Sequence, residues 1–169
     1  MSEAAQVLAS ISAALLAVAA LHDAATRTIP NWVPVALAAL GLAVRTLDGR
    51  LLPGIAAAGL LFAGCVLVWR LGWLGGGDAK LAPAFALVLP PGQVADFVLA
   101  TALAGGVLAL LYLLLRPAVP APSPGRRRGL LRRCLKAEAW RIGRGGPLPY
   151  AVAIAAGGLY VLHPSLRIG

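Results

Sequence analysis

The chain carries six acidic residues: Glu3, Asp23, Asp48, Asp78, Asp96 and Glu138. Two of them, Asp23 and Asp78, stand at the edges of long apolar stretches and beside residues that bend the backbone. Asp23 begins Asp23-Ala24-Ala25-Thr26-Arg27-Thr28-Ile29-Pro30-Asn31, where Pro30 turns Ile29 out of helical geometry and Asn31 is placed to cap a helix starting at Trp32. Asp78 follows Gly75-Gly76-Gly77 and precedes Ala79-Lys80-Leu81. The glycines clear side chains from around the carboxylate, allowing positive φ or the close approach of another segment, and Asp78 is itself placed to cap the next helix. Two carboxylates sharing one proton can hydrolyse an amide, one drawing a proton from water and the other giving one to the scissile carbonyl or leaving nitrogen. Their repulsion raises one pKa, so both forms coexist near neutrality. This chemistry uses no metal, cofactor, serine or thiol, and none is expected. Gly75 to Lys80 lacks the full phosphate-loop pattern, and Cys65 and Cys134 supply neither a zinc tetrad nor a CxxC pair.

The segments that must hold these carboxylates are strongly apolar. Of 169 residues, 60% are hydrophobic and 12% charged, about half the charged fraction a soluble domain of this size carries. The apolar residues form blocks over Ala4 to Leu21, Trp32 to Leu47, Leu51 to Trp69, Leu81 to Leu89, Phe97 to Leu115 and Leu148 to Leu162. A crossing needs about 20 residues, so the first, third and fifth blocks qualify directly and the others need flanking residues. The block after Asp78 is the shortest: it is tilted, extended by its flanks, or sunk into the bundle. The expected fold is all-α, a polytopic membrane bundle of about six transmembrane helices forming a single domain over 1–169. The first block lacks the basic flank of a signal peptide and is read as a retained span.

With the amino terminus outside, the inner connections are about 22–31, 70–80 and 116–147, and they hold twelve of the fifteen Lys and Arg residues. Arg45, Arg50 and Arg167 remain outside, an asymmetry that follows the positive-inside rule and puts Asp23 and Asp78 on the cytoplasmic side. Arg45 is expected to snorkel toward the outer headgroups. The loop over 116–147 reads as a Pro-rich spacer followed by a short basic interfacial helix over Leu130 to Ile142. Its arginines suit topology and anionic lipid rather than nucleic acid, which is not an expected partner.

On these residues the chain resembles the short form of the type IV prepilin peptidases, GxGD aspartic proteases of the bacterial inner membrane. Asp23 to Asn31 matches a D-x-x-x-R-x-I-P-N element, Gly75 to Leu81 a G-x-G-D-x-K-L element, and Pro149-Tyr150-Ala151-Val152-Ala153-Ile154-Ala155 a terminal P-Y-x-x-A-I element. The resemblance implies that Asp23 and Asp78 are the catalytic pair, with Arg27, Pro30, Asn31, Gly75, Gly77, Lys80, Pro149 and Tyr150 as motif and supporting residues. It implies cleavage of prepilins or pseudopilins at the cytoplasmic face, just before their hydrophobic segment, within a tight-adherence (Flp-type) pilus system and alongside pilus assembly proteins. Methyltransferase activity, associated with longer relatives, is not expected. Two other readings fit the same carboxylates: a proton-coupled small transporter, and a non-enzymatic pilus assembly protein.

Overall fold

The computed structural model describes residues 3–116 and 148–162; the spacer, the basic interfacial helix and Cys134 lie outside them. The described elements are α1 (Glu3–Thr26), α2 (Trp32–Leu47), α3 (Leu51–Arg70), α4 (Asp78–Ala86), a 3-10 turn (Pro91–Gln93), α5 (Val94–Leu115) and α6 (Tyr150–Leu162). The fold is therefore an all-α bundle. Three stretches are long and apolar enough to cross a bilayer, Gln6–Thr26, Leu51–Arg70 and Pro91–Leu115, and these are the three blocks the sequence marks out. Contacts divide the chain into one unit of residues 1–104 with 149–169 and another of 105–148, of which residues 105–116 and 148 are described.

Within the first unit α4 is central. It packs on α3, α2 and α6, while α1 packs on α2 and α6. Ala79 and each residue from Leu81 to Ala86 are buried, so the short block after Asp78 is sunk into the bundle. A helix apolar on all sides needs cover on all sides, and at nine residues it spans only about 14 Å. Leu16, Leu37, Leu81, Phe85 and Ile154 fill the core without exposure. Phe85 meets Phe97 with ring centroids 5.4 Å apart and planes inclined by 53°, a favourable tilted contact. α6 comes close because Gly158 lacks a side chain: a Cβ there would lie 2.6 Å from Phe85 Cε1 and 2.7 Å from Leu16 Cδ2. By contrast α3 buries only Gly54 and Ala58 and turns Leu52 and Leu60 outward, a surface suited to hydrocarbon.

Helix ends sharpen the connections. After α2, Gly49 at φ 66° begins a Schellman turn, with Gly49 N donating to Thr46 O and Arg50 N to Arg45 O. After α3, Gly72 at φ 79° does the same, Gly72 N reaching Trp69 O and Trp73 N reaching Val68 O.

Arg45 does not snorkel outward. It is fully buried, its Nη2 donating to Val88 O at 3.1 Å and pairing with Asp48 at 3.2 Å. Two features draw it inward. Gly54 leaves space for its stem, since a Cβ there would be 2.7 Å from Arg45 Cγ. Val88 follows the end of α4, where carbonyls lack helical partners and favour a cation.

Candidate active site

α1 does not stop at Asp23 but continues one turn further, to Thr26. Arg27 N donates to Asp23 O at 2.7 Å, and Arg27 then adopts φ 59°, the left-handed conformation that ends the helix. The turn is held by groups the sequence reading passed over. His22 Nδ1 lies 2.7 Å from Thr28 O, and Thr26 Oγ1 donates to His22 O at 2.8 Å. His22 donates one turn before a proline-directed break, a pattern legible only once the turn geometry is known. Pro30 O receives Val33 N at 3.0 Å, starting α2. Asp23, rigidly carried on the last turn of α1, is 7% exposed.

The second loop meets the first. Gly77 has φ −68° and ψ −46°, so glycine is not needed there for a left-handed backbone. Its role is close approach: a Cβ on Gly77 would stand 3.1 Å from Ile29 Cβ, within the first loop. At Gly75 a Cβ would stand 2.6 Å from Asp78 Oδ2, so a side chain would strike the carboxylate. Lys80 Nζ donates to Asn31 Oδ1 at 3.4 Å, a second tie between the loops.

Two capping expectations are corrected. Asn31 occupies the N-cap position of α2 but has helical φ and ψ of −61° and −23° and makes no side-chain cap bond. A capping side chain works from the β region, and Asn31 is instead turned toward Lys80. Asp78 is the first residue of α4 and Gly77 its N-cap, so the carboxylate lies beside the helix start without capping it.

The first turn of α6 completes the arrangement. Pro149 is buried, and its carbonyl accepts from Val152 N at 3.0 Å. Ala151 N donates to Asp23 Oδ2 at 3.4 Å across 128 residues of sequence. This places the Asp23 carboxylate at a helix N-terminus, the end of the dipole that favours negative charge. Tyr150 lines the same cavity as Asp78, together with Cys65 of α3 and Phe97 and Thr101 of α5. Asp78 is half-buried, and its Oδ1 has no hydrogen-bond partner among the described residues. Burial first, and the nearby Asp23 carboxylate second, push Asp78 up to about 7. The two carboxylates thus occupy unlike settings, one facing a helix N-terminus and the other desolvated, which is how an acid and a base are kept distinct at one pH.

All three sequence motifs converge here. Arg27, Pro30 and Asn31 shape the first loop, Gly75, Gly77 and Lys80 the second, and Pro149 and Tyr150 open α6. Cys65, Phe97 and Thr101 were not foreseen: each sits in an apolar helix without a polar pattern to mark its inward face.

A family model described as the type IV leader peptidase family matches residues 10–110. No curated protein and no solved structure matches the chain.

Proposed function

Because the chain belongs to the type IV leader peptidase family, and is thus an aspartic endopeptidase acting on prepilin-type substrates, we propose that Asp23 and Asp78 are its catalytic pair. The observation that carries this reading is their shared setting around the first turn of α6, where Ala151 N reaches Asp23 and Tyr150 lines the cavity beside Asp78. Asp23 begins ionised and Asp78 protonated. Water oxygen bonds to the scissile carbonyl carbon as Asp23 takes one water proton and Asp78 passes its own to the carbonyl oxygen. The gem-diol then collapses and the C–N bond breaks, Asp23 giving its proton to the leaving nitrogen while Asp78 recovers one from a diol hydroxyl. One water is consumed, and both carboxyls return to their starting states.

The pair faces the cytoplasm of a bacterial inner membrane in this reading, with α2, α4 and α6 completing six membrane-embedded segments. Support comes from the basic residues, which cluster in connections on the Asp23 and Asp78 side. Arg27 lies four residues after Asp23, and Lys80 two residues after Asp78.

Asp23→Asn and Asp78→Asn keep side-chain size while preventing proton exchange. Each abolishes prepilin shortening in membranes holding equal amounts of folded protein, and the double variant is scarcely worse than either single one. Substantial turnover by either single variant rules out the shared-proton mechanism.

A further inference from the structure

α5 and α6 come into backbone contact where Gly157 faces Thr101: a Cβ added to Gly157 would stand 2.7 Å from Thr101 N. Next to this contact lies a groove that shares no lining residue with the cavity beside Asp78. Small residues line it, Ala100 and Ala104 on α5 and Ala156 and Gly157 on α6, all within the first unit. Leu99 and Leu103 line it as well and are exposed. Its polar side chains stand near helix ends: the exposed Asp96 is in the first turn of α5, and Tyr160 is in the last turn of α6. Among the described residues no cation pairs with Asp96. From Asp96 to Ala104 α5 rises about 12 Å, close to the roughly 15 Å of hydrocarbon in one leaflet.

We propose that this groove holds one phospholipid of the leaflet away from Asp78, with an acyl chain lying along it and a primary ammonium headgroup, that of an ethanolamine lipid, on the Asp96 carboxylate. The inference goes beyond the peptidase reading and needs only that α5 crosses the bilayer. The headgroup follows from charge. Asp96 sits where the helix dipole favours its ionised form, at the depth of the headgroups. There it accepts charge-assisted hydrogen bonds from a primary ammonium, receives none from a quaternary one, and repels an anionic glycerol headgroup. The Tyr160 hydroxyl, on the same groove, can donate to a phosphate or ester oxygen of that lipid. The acyl chain follows from the wall, which below Asp96 offers methyl and methylene groups over the depth of one leaflet. A second copy suits the groove less, because two-fold pairing on this face would set two Asp96 carboxylates at one depth with no cation between them.

Photolabelling tests the assignment on the groove itself, so that lipid held by the arginine-rich loop does not enter the readout. The full chain is reconstituted in phosphatidylcholine vesicles with a trace of lipid carrying a diazirine in its acyl chain and either an ethanolamine or a glycerol headgroup. Labelling of residues 99–104 and 156–161 is located by fragment sequencing. The ethanolamine probe is expected to label them about fivefold more than the glycerol probe. Unlabelled phosphatidylethanolamine should compete, and added phosphatidylcholine should not. Asp96→Asn should remove the preference, Asp96→Lys should reverse it, and Ala100→Leu, which fills the groove, should lower labelling by both probes. Equal labelling by the two probes in wild type, or an unchanged preference in Asp96→Lys, overturns the proposal. So does a groove that takes no label while crosslinking joins two copies through α5, which assigns the face to self-association.

Discussion

Lys80 Nζ donates a hydrogen bond to Asn31 Oδ1 at 3.4 Å, tying the loop that follows Asp23 to the helix that begins at Asp78. Both side chains are exposed, so the bond contributes little to global stability. Its consequence is alignment. Lys80→Met, which keeps the stem and removes the donor, should lower prepilin kcat/KM about five- to tenfold with thermal stability almost unchanged. Asn31→Leu should do the same, and the double variant should lose no more than either, as a double-mutant cycle on cleavage rates would show. Fully additive losses would mean that each residue acts elsewhere.

The setting of Asp78 sets a pH dependence with a definite sign. Its carboxyl moves from an ordinary 3.8 to about 7 in the fold, so the folded protein holds the proton more tightly than the unfolded chain. The resulting stability is complete below about pH 4 and is lost as pH rises through about 7. Thermal unfolding in detergent should therefore show the midpoint falling between pH 5 and pH 8 in wild type, and falling less in Asp78→Asn. Cleavage should decline above about pH 7 as Asp78 loses the proton it donates. Identical slopes for the two proteins would contradict the assignment.

Arg45 and Asp48 provide a test of stability away from the chemistry. Asp48→Asn leaves the buried guanidinium with a carbonyl but no counter-charge and should destabilise the bundle by about 3 kcal/mol. Arg45→Met combined with Asp48→Asn should be more stable than Asp48→Asn alone, because no charge is then left buried. Val88, which accepts from Arg45, lies ten residues beyond Asp78, past the opposite end of α4. Cleavage per folded molecule should accordingly be preserved in both variants.

Gly158→Val tests the approach of α6. The added atoms fall on Phe85 and Leu16, and overpacking of this kind costs about 1–3 kcal/mol. Because α6 carries Ala151, whose N–H reaches Asp23, cleavage should fall by more than the loss of folded protein explains. Purified protein assayed at a temperature where it remains folded separates the two effects.

Much of this arrangement was legible before any coordinates. Continuous apolar blocks predict α1, α3 and α5, since an uncharged helix of that length has no solvated face to offer water. The two aspartates were legible because bending residues stand beside them at the edges of such blocks. Burial within the membrane was not. In water an amphipathic pattern tells a helix which way to face; in lipid, Leu60 turned outward and Leu81 in the core are the same residue type with opposite fates. For that reason Phe97 and Thr101 gave no warning of their place beside Asp78. Arg45 misled because charge alone suggests an outward path, whereas Gly54 and the open carbonyl of Val88 lie in other helices. The glycines before Asp78 were rightly expected to permit close approach, but Ile29 as the neighbour of Gly77 required the fold.

The buried position of α4 also bears on how the protein is made. At about 14 Å, α4 is less than half the roughly 30 Å of hydrocarbon that an inserting segment must satisfy, so it takes its cover from the helices packed around it. One of its walls is α6, whose Ala151 follows Asp78 by 73 residues. At about 5–20 residues per second, ribosomal synthesis of that interval takes on the order of ten seconds. Throughout it the two carboxylates lack the helix start around which they assemble. On the proposed assignment of Asp23 and Asp78, a chain translated only this far is inert, and cleavage becomes possible only once α6 has docked.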